Sequence, residues 1–111
     1  MGPGFVLDSF AVLAWLKNAE PSASTVNQIL LGGSDVAMSA MNVGEVVYIL
    51  QKRFSPERAE LFLKLLPNLA FEIVTPSLQD IMEAAALKAR YPISYADAFA
   101  AQLARRPNVP W

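Results

Sequence analysis

The sequence holds no cysteine and no histidine in 111 residues. Without cysteine there is no disulfide framework, no thiolate nucleophile and no zinc–thiolate site. Without histidine the commonest general base is missing, and with it any serine–histidine triad. A hydrolase built from this chain must work with carboxylates and a metal ion. Long apolar runs are also missing. The longest, Phe10 to Leu16, is stopped by Lys17, well short of the roughly 18 uncharged residues that a membrane span needs. The opening Met1-Gly2-Pro3-Gly4 lacks a basic n-region and the first apolar run contains Asp8. No secretory signal is therefore expected, and the cytoplasm is the default compartment. Finally, there is no excess of one charge: nine Lys and Arg stand against ten Asp and Glu, a formal net charge of −1. That excludes a strongly basic, nucleic-acid-coating module but leaves room for a small local nucleic-acid site.

What is present is apolar. Hydrophobic residues make up 54% of the chain and charged residues 17%, enough buried surface to offset the entropy of ordering. The length suits one domain, residues 1–111. Short β-like runs alternate with helical patterns, which predicts an α/β fold with a parallel sheet flanked by helices. Gly4-Phe5-Val6-Leu7, ending in Asp8, reads as a buried strand, followed by an apolar helix from Ser9 to Asn18. Ser24 to Leu31 is a second helix with Val26, Ile29 and Leu30 on one face, stopped by Gly32-Gly33, since glycine readily takes the left-handed C′ position. Val36-Ala37-Met38-Ser39 is the second strand. A helix from about Asn42 to Arg53 carries Val43, Val46, Val47 and Leu50 as its core stripe. The next helix starts at Ser55-Pro56, with Ala59, Phe62, Leu63 and Leu66 inward. Phe71 to Val74 is the third strand. Ser77 to Arg90 is a helix with Leu78, Ile81, Met82 and Ala85 buried, and the last runs from Ser94 to about Arg106 with Ala96, Phe99, Ala100 and Leu103 inward. Three strands are few for six helices, and Val109-Pro110-Trp111 reads as the approach to a fourth, so the fold is expected to be shortened at its C-terminus.

Three acids stand out by position. Asp8 closes the first strand, Glu45 falls in the expected first turn of the helix after the second strand, and Asp97 falls in the first turn of the last helix. In a parallel sheet, strand C-termini and the following helix N-termini share one edge, where ligands bind. A purely structural role fits as well. Asp8 suits a helix N-cap, and Asn42-x-x-Glu45, Ser94-x-x-Asp97 and Ser77-x-x-Asp80 all have capping-box spacing. Against that, Glu45 and Asp97 sit in runs with almost no other charge, where a lone acid is costly unless neutralised. A divalent cation would relieve the mutual repulsion of three acids at one edge, and oxygen-only ligation suits Mg²⁺ or Mn²⁺.

With these residues in view the chain resembles a known family. Phe5-Val6-Leu7-Asp8-Ser9-Phe10-Ala11-Val12-Leu13-Ala14-Trp15-Leu16 resembles the opening of a PIN domain. Met38 to Tyr48, with Asn42 and Glu45, is similar to its second motif, and Tyr91 to Ala101, with Asp97, to its third. The resemblance runs from about Phe5 to Leu103 and points to the VapC-type toxins of bacterial toxin–antitoxin pairs. It implies a three-layer PIN-like fold and a Mg²⁺- or Mn²⁺-dependent endoribonuclease, with Asp8, Asp97 and Glu45 as metal-holding and catalytic residues. It also implies an RNA substrate, a homodimer, and an antitoxin protein as partner. One departure bears on the mechanism. Family members continue into a further strand and a Thr-Gly-Asp-like segment carrying another acid, and this sequence has neither. The departure implies weaker metal binding and an open edge on the first strand. The alternative is a catalytically weak or inactive relative that serves as a binding or oligomerisation module.

Two further features are weighed. Ser9, beside Asp8, is a candidate to bond a ligand carboxylate, or else extends the helix cap. Lys52-Arg53 and Arg105-Arg106 end helices, where cations suit the dipole. Lys52 and Arg53 are also candidates to contact RNA phosphates. Trp15, Tyr48, Phe54 and Phe62 are assigned to core or interface in preference to base-stacking platforms.

Overall fold

The computed structural model describes residues 4–33 and 35–106. Its elements follow in the order β1 (Phe5–Val6), α1 (Ser9–Leu16), α2 (Ser22–Leu31), β2 (Val36–Ser39), α3 (Ala40–Arg53), α4 (Pro56–Leu65), β3 (Glu72–Val74), α5 (Leu78–Arg90) and α6 (Tyr95–Ala104), with a short 3₁₀ turn at Leu66–Asn68 before β3. The three strands form a parallel sheet in the order β1-β2-β3. Phe5 pairs with Val36 and Val6 with Ala37, while Ala37, Met38 and Ser39 pair with Glu72, Ile73 and Val74. The expectation of an α/β fold with a parallel sheet flanked by helices is met. The expected approach to a fourth strand at Val109-Pro110-Trp111 lies outside the described residues.

β2 is the centre of the sheet and all four of its residues are buried. A strand covered on both faces reads as a continuous apolar run, which is what Val36-Ala37-Met38 supplies. The main core gathers around it: Leu7, Val12, Met38, Val46, Leu50 and Phe62 join α1, α3 and α4 to the sheet. A smaller cluster of Ala84, Leu87, Ala98 and Phe99 locks α5 to α6.

Helix starts are set by short polar side chains, which satisfy amide groups that the first turn leaves without partners. Asp8, Ser39, Ser55, Ser77 and Ser94 each accept a backbone N–H as N-caps of α1, α3, α4, α5 and α6. Stops are equally local. Asn18 (φ 55°) follows α1 and Gly33 (φ 77°) follows α2, both in the left-handed region that closes a helix.

Four expectations need correction. α3 begins at Ala40, capped by Ser39, and not at Asn42. Glu45 therefore lies in the second turn, and Asn42 is a helical residue with no part in a capping box. On α5 the inward face is Asp80, Ala84 and Leu87, whereas Leu78 is 73% and Met82 62% exposed. The Ser77 capping box is real: Asp80 accepts from the Ser77 amide at 2.9 Å and its own amide donates to the Ser77 hydroxyl at 3.1 Å. The other Asp80 oxygen takes a bond from the buried Gln102 side chain at 3.0 Å, so the residue that starts α5 also grips α6. That second bond is why Asp80 turns inward and rotates the apolar stripe by one position. On α4, Leu63 is exposed. Finally, Asp97 is exposed rather than trapped in an apolar run.

Candidate metal centre

The site grows from the edge where α1 and α3 begin. Both helices start directly after parallel strands, α1 after β1 and α3 after β2, so their first turns lie side by side. A single buried side chain ties them together. Asn42, in the first turn of α3, has no exposed surface. Its Nδ2 donates to the Ser9 hydroxyl and to the Ala96 carbonyl, each at 3.0 Å. The Ser9 hydroxyl donates in turn to the Asn42 carbonyl at 3.3 Å. The residue after Asp8, the residue before Asp97 and the turn before Glu45 are thus joined through one amide. The Ser9 hydroxyl is engaged with Asn42, not with a carboxylate.

Between α1, α3 and the start of α6 lies an open cavity of about 350 Å³. Glu45 and Asp97 line it, together with Ser9 and Ser94. Leu13 and Ile49 supply apolar wall, and Lys17 and Arg53 bring two cations to the same space. Glu45 is half-buried and Asp97 exposed. The Asp97 amide donates to the Ser94 hydroxyl at 3.0 Å. Neither carboxylate makes a hydrogen bond or ion pair among the described residues.

Asp8 is placed differently. It is half-buried, and its Oδ1 accepts the Ala11 amide at 2.8 Å as the cap of α1. It lines a neighbouring cleft of about 310 Å³ against α2, with Pro21, Thr25 and Ile29. The structure therefore brings Glu45, Asp97, Ser9 and Arg53 to one cavity and sets Asp8 one residue outside it. Among the described residues no group of three or more Asp, Glu, His or Cys is arranged around a common metal position. Lys52 does not line the cavity, since its ammonium donates to the Tyr48 hydroxyl at 3.1 Å.

The donor set still suits a hard cation. Mg²⁺ is commonly held by one or two carboxylates, with water and substrate phosphate filling the remaining positions. Two carboxylates with no other partner among the described residues, lining a cavity open to water, meet that requirement. Asp8 stands apart from this pair, with Oδ1 capping α1 and its side chain in the neighbouring cleft.

The profile of the PIN domain matches residues 5–111. The chain belongs to the PIN domain family. Among solved structures, this PIN domain is similar to the toxin VapC20 of Mycobacterium tuberculosis, described as cleaving the sarcin–ricin loop, with a TM-score of 0.67 and 21% identity over 91% of this chain and 80% of that one. It is also similar to VapBC2 of Rickettsia felis, solved bound to a DNA fragment from its promoter, with a TM-score of 0.65 and 19% identity over 90% and 79% of the two chains. At these identities the likeness is one of fold. A search of curated proteins found no match.

Asn42 and Lys17 escaped the sequence reading as site residues. A signal for Asn42 existed: it is a lone amide at the start of an otherwise apolar helical stripe. Lys17 gave none, because the C-terminal end of an apolar helix is an ordinary place for a lysine.

Proposed function

We propose that this PIN domain is a divalent-metal-dependent endoribonuclease of the VapC toxin type. The observation that carries the reading is the joint presence of Glu45 and Asp97 in one cavity, without other partners among the described residues. Glu45 and Asp97 would hold Mg²⁺ or Mn²⁺, with Asp8 at the adjoining helix start as the third acid. The ion would supply Lewis acidity toward a phosphoryl oxygen and would activate water for attack on phosphorus. The remaining work belongs to the chain. With no histidine in the sequence, a carboxylate is the side chain suited to take the proton of the attacking water, and Asp8, half-buried in the cleft beside the cavity, is given that role. Asn42 keeps the three segments in register, so that the acids are placed before substrate arrives. Lys17 and Arg53 offset the two negative charges in the cavity and make it accessible to a polyanion.

VapC20 is described as a toxin that cleaves the sarcin–ricin loop, in line with a toxin role on RNA, and the reading takes an antitoxin protein as partner and a homodimer as the assembly. No helix among the described residues is long and apolar enough to cross a membrane, and cytoplasmic action on RNA is the setting this reading takes.

A second reading has one observation in its favour. The Asp8 carboxylate caps α1 instead of facing Glu45 and Asp97, as a non-catalytic binding or oligomerisation module would allow. Mn²⁺ titration separates the two. Binding to the folded state raises stability by mass action, about 2.7 kcal/mol at a hundredfold excess over Kd. A Mn²⁺-dependent rise in Tm that Asp97→Asn abolishes, accompanied by Mn²⁺-dependent cleavage of RNA, supports the nuclease. No shift and no cleavage favour the second reading.

A further inference from the structure

The cavity that holds Glu45 and Asp97 has a second, oppositely charged end. Ser9 and Lys17 are eight positions apart along α1, and Glu45 and Arg53 are eight positions apart along α3. At the helical rise each pair spans about 12 Å. The two helices touch at both ends. Ser9 bonds to Asn42 at their starts, and the Lys17 ammonium stands 5.9 Å from the centre of the Phe54 ring at their finishes. The groove between them therefore runs from Glu45, in the second turn of α3, and Asp97, at the start of α6, to the cations at the ends of α1 and α3, with Leu13 and Ile49 between.

We propose that the Lys17–Arg53 end is a binding site for a backbone phosphate of an RNA strand, adjacent to the phosphate that is cut. This rests on the nuclease reading. Three features of the cations argue for an anionic ligand. Lys17 and Arg53 both line the cavity and form no ion pair among the described residues. Arg58 joins them, its guanidinium 5.8 Å from the same Phe54 ring. Lys17 and Arg58 both stand over the Phe54 ring, and Arg53 lines the same cavity as Lys17, so an anion bound at this end meets several positive charges. Helix-dipole complementarity explains Lys17 and Arg53 singly, but it does not explain Arg58, which lies in the first turn of α4, where the dipole disfavours a cation. Phe54, the C-cap of α3, holds Lys17 and Arg58 near its ring. The arrangement also answers an electrostatic difficulty. A cavity containing only Glu45 and Asp97 would repel the polyanion it has to bind, whereas cations about 12 Å along the groove draw the strand in and align it across the acids.

The test is binding of a short, fluorescently labelled single-stranded RNA in EDTA, where no cleavage occurs, read by anisotropy over a series of salt concentrations. Each phosphate contact to a single strand contributes about 0.7 to the slope of log K against log salt. The double variant Lys17→Gln/Arg53→Gln should bind at least about tenfold more weakly at low salt and lose about 1.4 from that slope, as two such contacts would. Lys64→Gln removes the same kind of charge outside the cavity and should leave the slope as it is. With Mn²⁺ the double variant should show a raised KM and little change in kcat. All four side chains concerned, Lys17, Arg53, Arg58 and Lys64, are exposed, so the variants should fold, which a thermal melt verifies. Wild-type protein that binds RNA while the double variant keeps the same affinity and slope overturns the subsite and leaves the nuclease standing. Wild-type protein that neither binds RNA in EDTA nor cuts it with Mn²⁺ overturns both.

Discussion

Asn42 and Ser9 exchange two hydrogen bonds across 33 residues of chain, one through the amide side chain and one through the backbone carbonyl. The second Asn42 donor reaches Ala96, 54 residues away. Three distant segments are thus fixed by one buried residue. The arrangement is not fully satisfied, because the Asn42 Oδ1 is buried without a partner among the described residues, and that oxygen costs part of what the two donors contribute. Asn42→Ala should lower unfolding stability by about 2–4 kcal/mol, since it leaves the buried Ser9 hydroxyl without its donor, removes a second bond to the part-buried Ala96 carbonyl and opens a small void. Ser9→Ala should cost about 1 kcal/mol, and the double variant should cost less than the sum by about 1 kcal/mol, the coupling expected of directly bonded groups. Urea denaturation of the four proteins checks this; additive costs would mean that the two residues act independently.

Gly44 sits in the middle of α3 beside Glu45, yet a Cβ added there meets no atom within 4 Å, and its φ is not positive. Nothing in the fold requires a glycine. Gly44→Ala should therefore stabilise the protein by about 0.4–1 kcal/mol, by restricting the unfolded chain and improving helix propensity. The measurement is a shift of the denaturation midpoint to higher urea at unchanged m-value.

The fold class, all three strands and all six helices could be read from the sequence, because each rests on a local signal: a β-run of matching length, a serine cap, or a glycine stop. Asp8, Glu45 and Asp97 were singled out by their positions near helix starts, where capping explains them as well, and it was the resemblance to the PIN motifs that favoured a shared site. What local signals could not convey was which oxygen faces which cavity. Asp8 satisfies both a cap and a catalytic position in sequence, and only the folded chain shows its Oδ1 committed to Ala11. The start of α3 was misplaced because Ser39 belongs to β2 and caps α3 at once, leaving no loop to mark the boundary. Asn42 was then mistaken for a cap, though its partners are remote in sequence.

The α5 stripe gives the same lesson in a measurable form. Leu78 and Met82 look like core residues by spacing but are exposed, while Ala84 is fully buried against α6. Met82→Glu should change stability by no more than about 0.5 kcal/mol, as for an ordinary surface position. Ala84→Glu should unfold the protein, because it forces an unpaired charge and several extra heavy atoms into the α5–α6 contact. Circular dichroism of the two variants separates the observed register from the one the periodicity suggested, which would reverse the outcomes.

Asp8 allows its two roles to be separated by chemistry. As a cap it needs only an oxygen that accepts from the Ala11 amide, and asparagine serves a helix N-cap about as well as aspartate. As a catalytic acid it needs its charge and its basicity, which asparagine lacks. Asp8→Asn should therefore keep stability within about 0.5 kcal/mol of the wild type and lose Mn²⁺-dependent RNA cleavage by a factor of at least about a hundred, the lower range for a general base. Asp8→Ala should lose both, with about 1 kcal/mol of stability gone with the cap. If Asp8→Asn cleaves RNA as the wild type does, Asp8 is a cap alone, and the proton of the attacking water must pass to Glu45 or Asp97. Urea denaturation and a cleavage time course on the same three proteins decide between these outcomes.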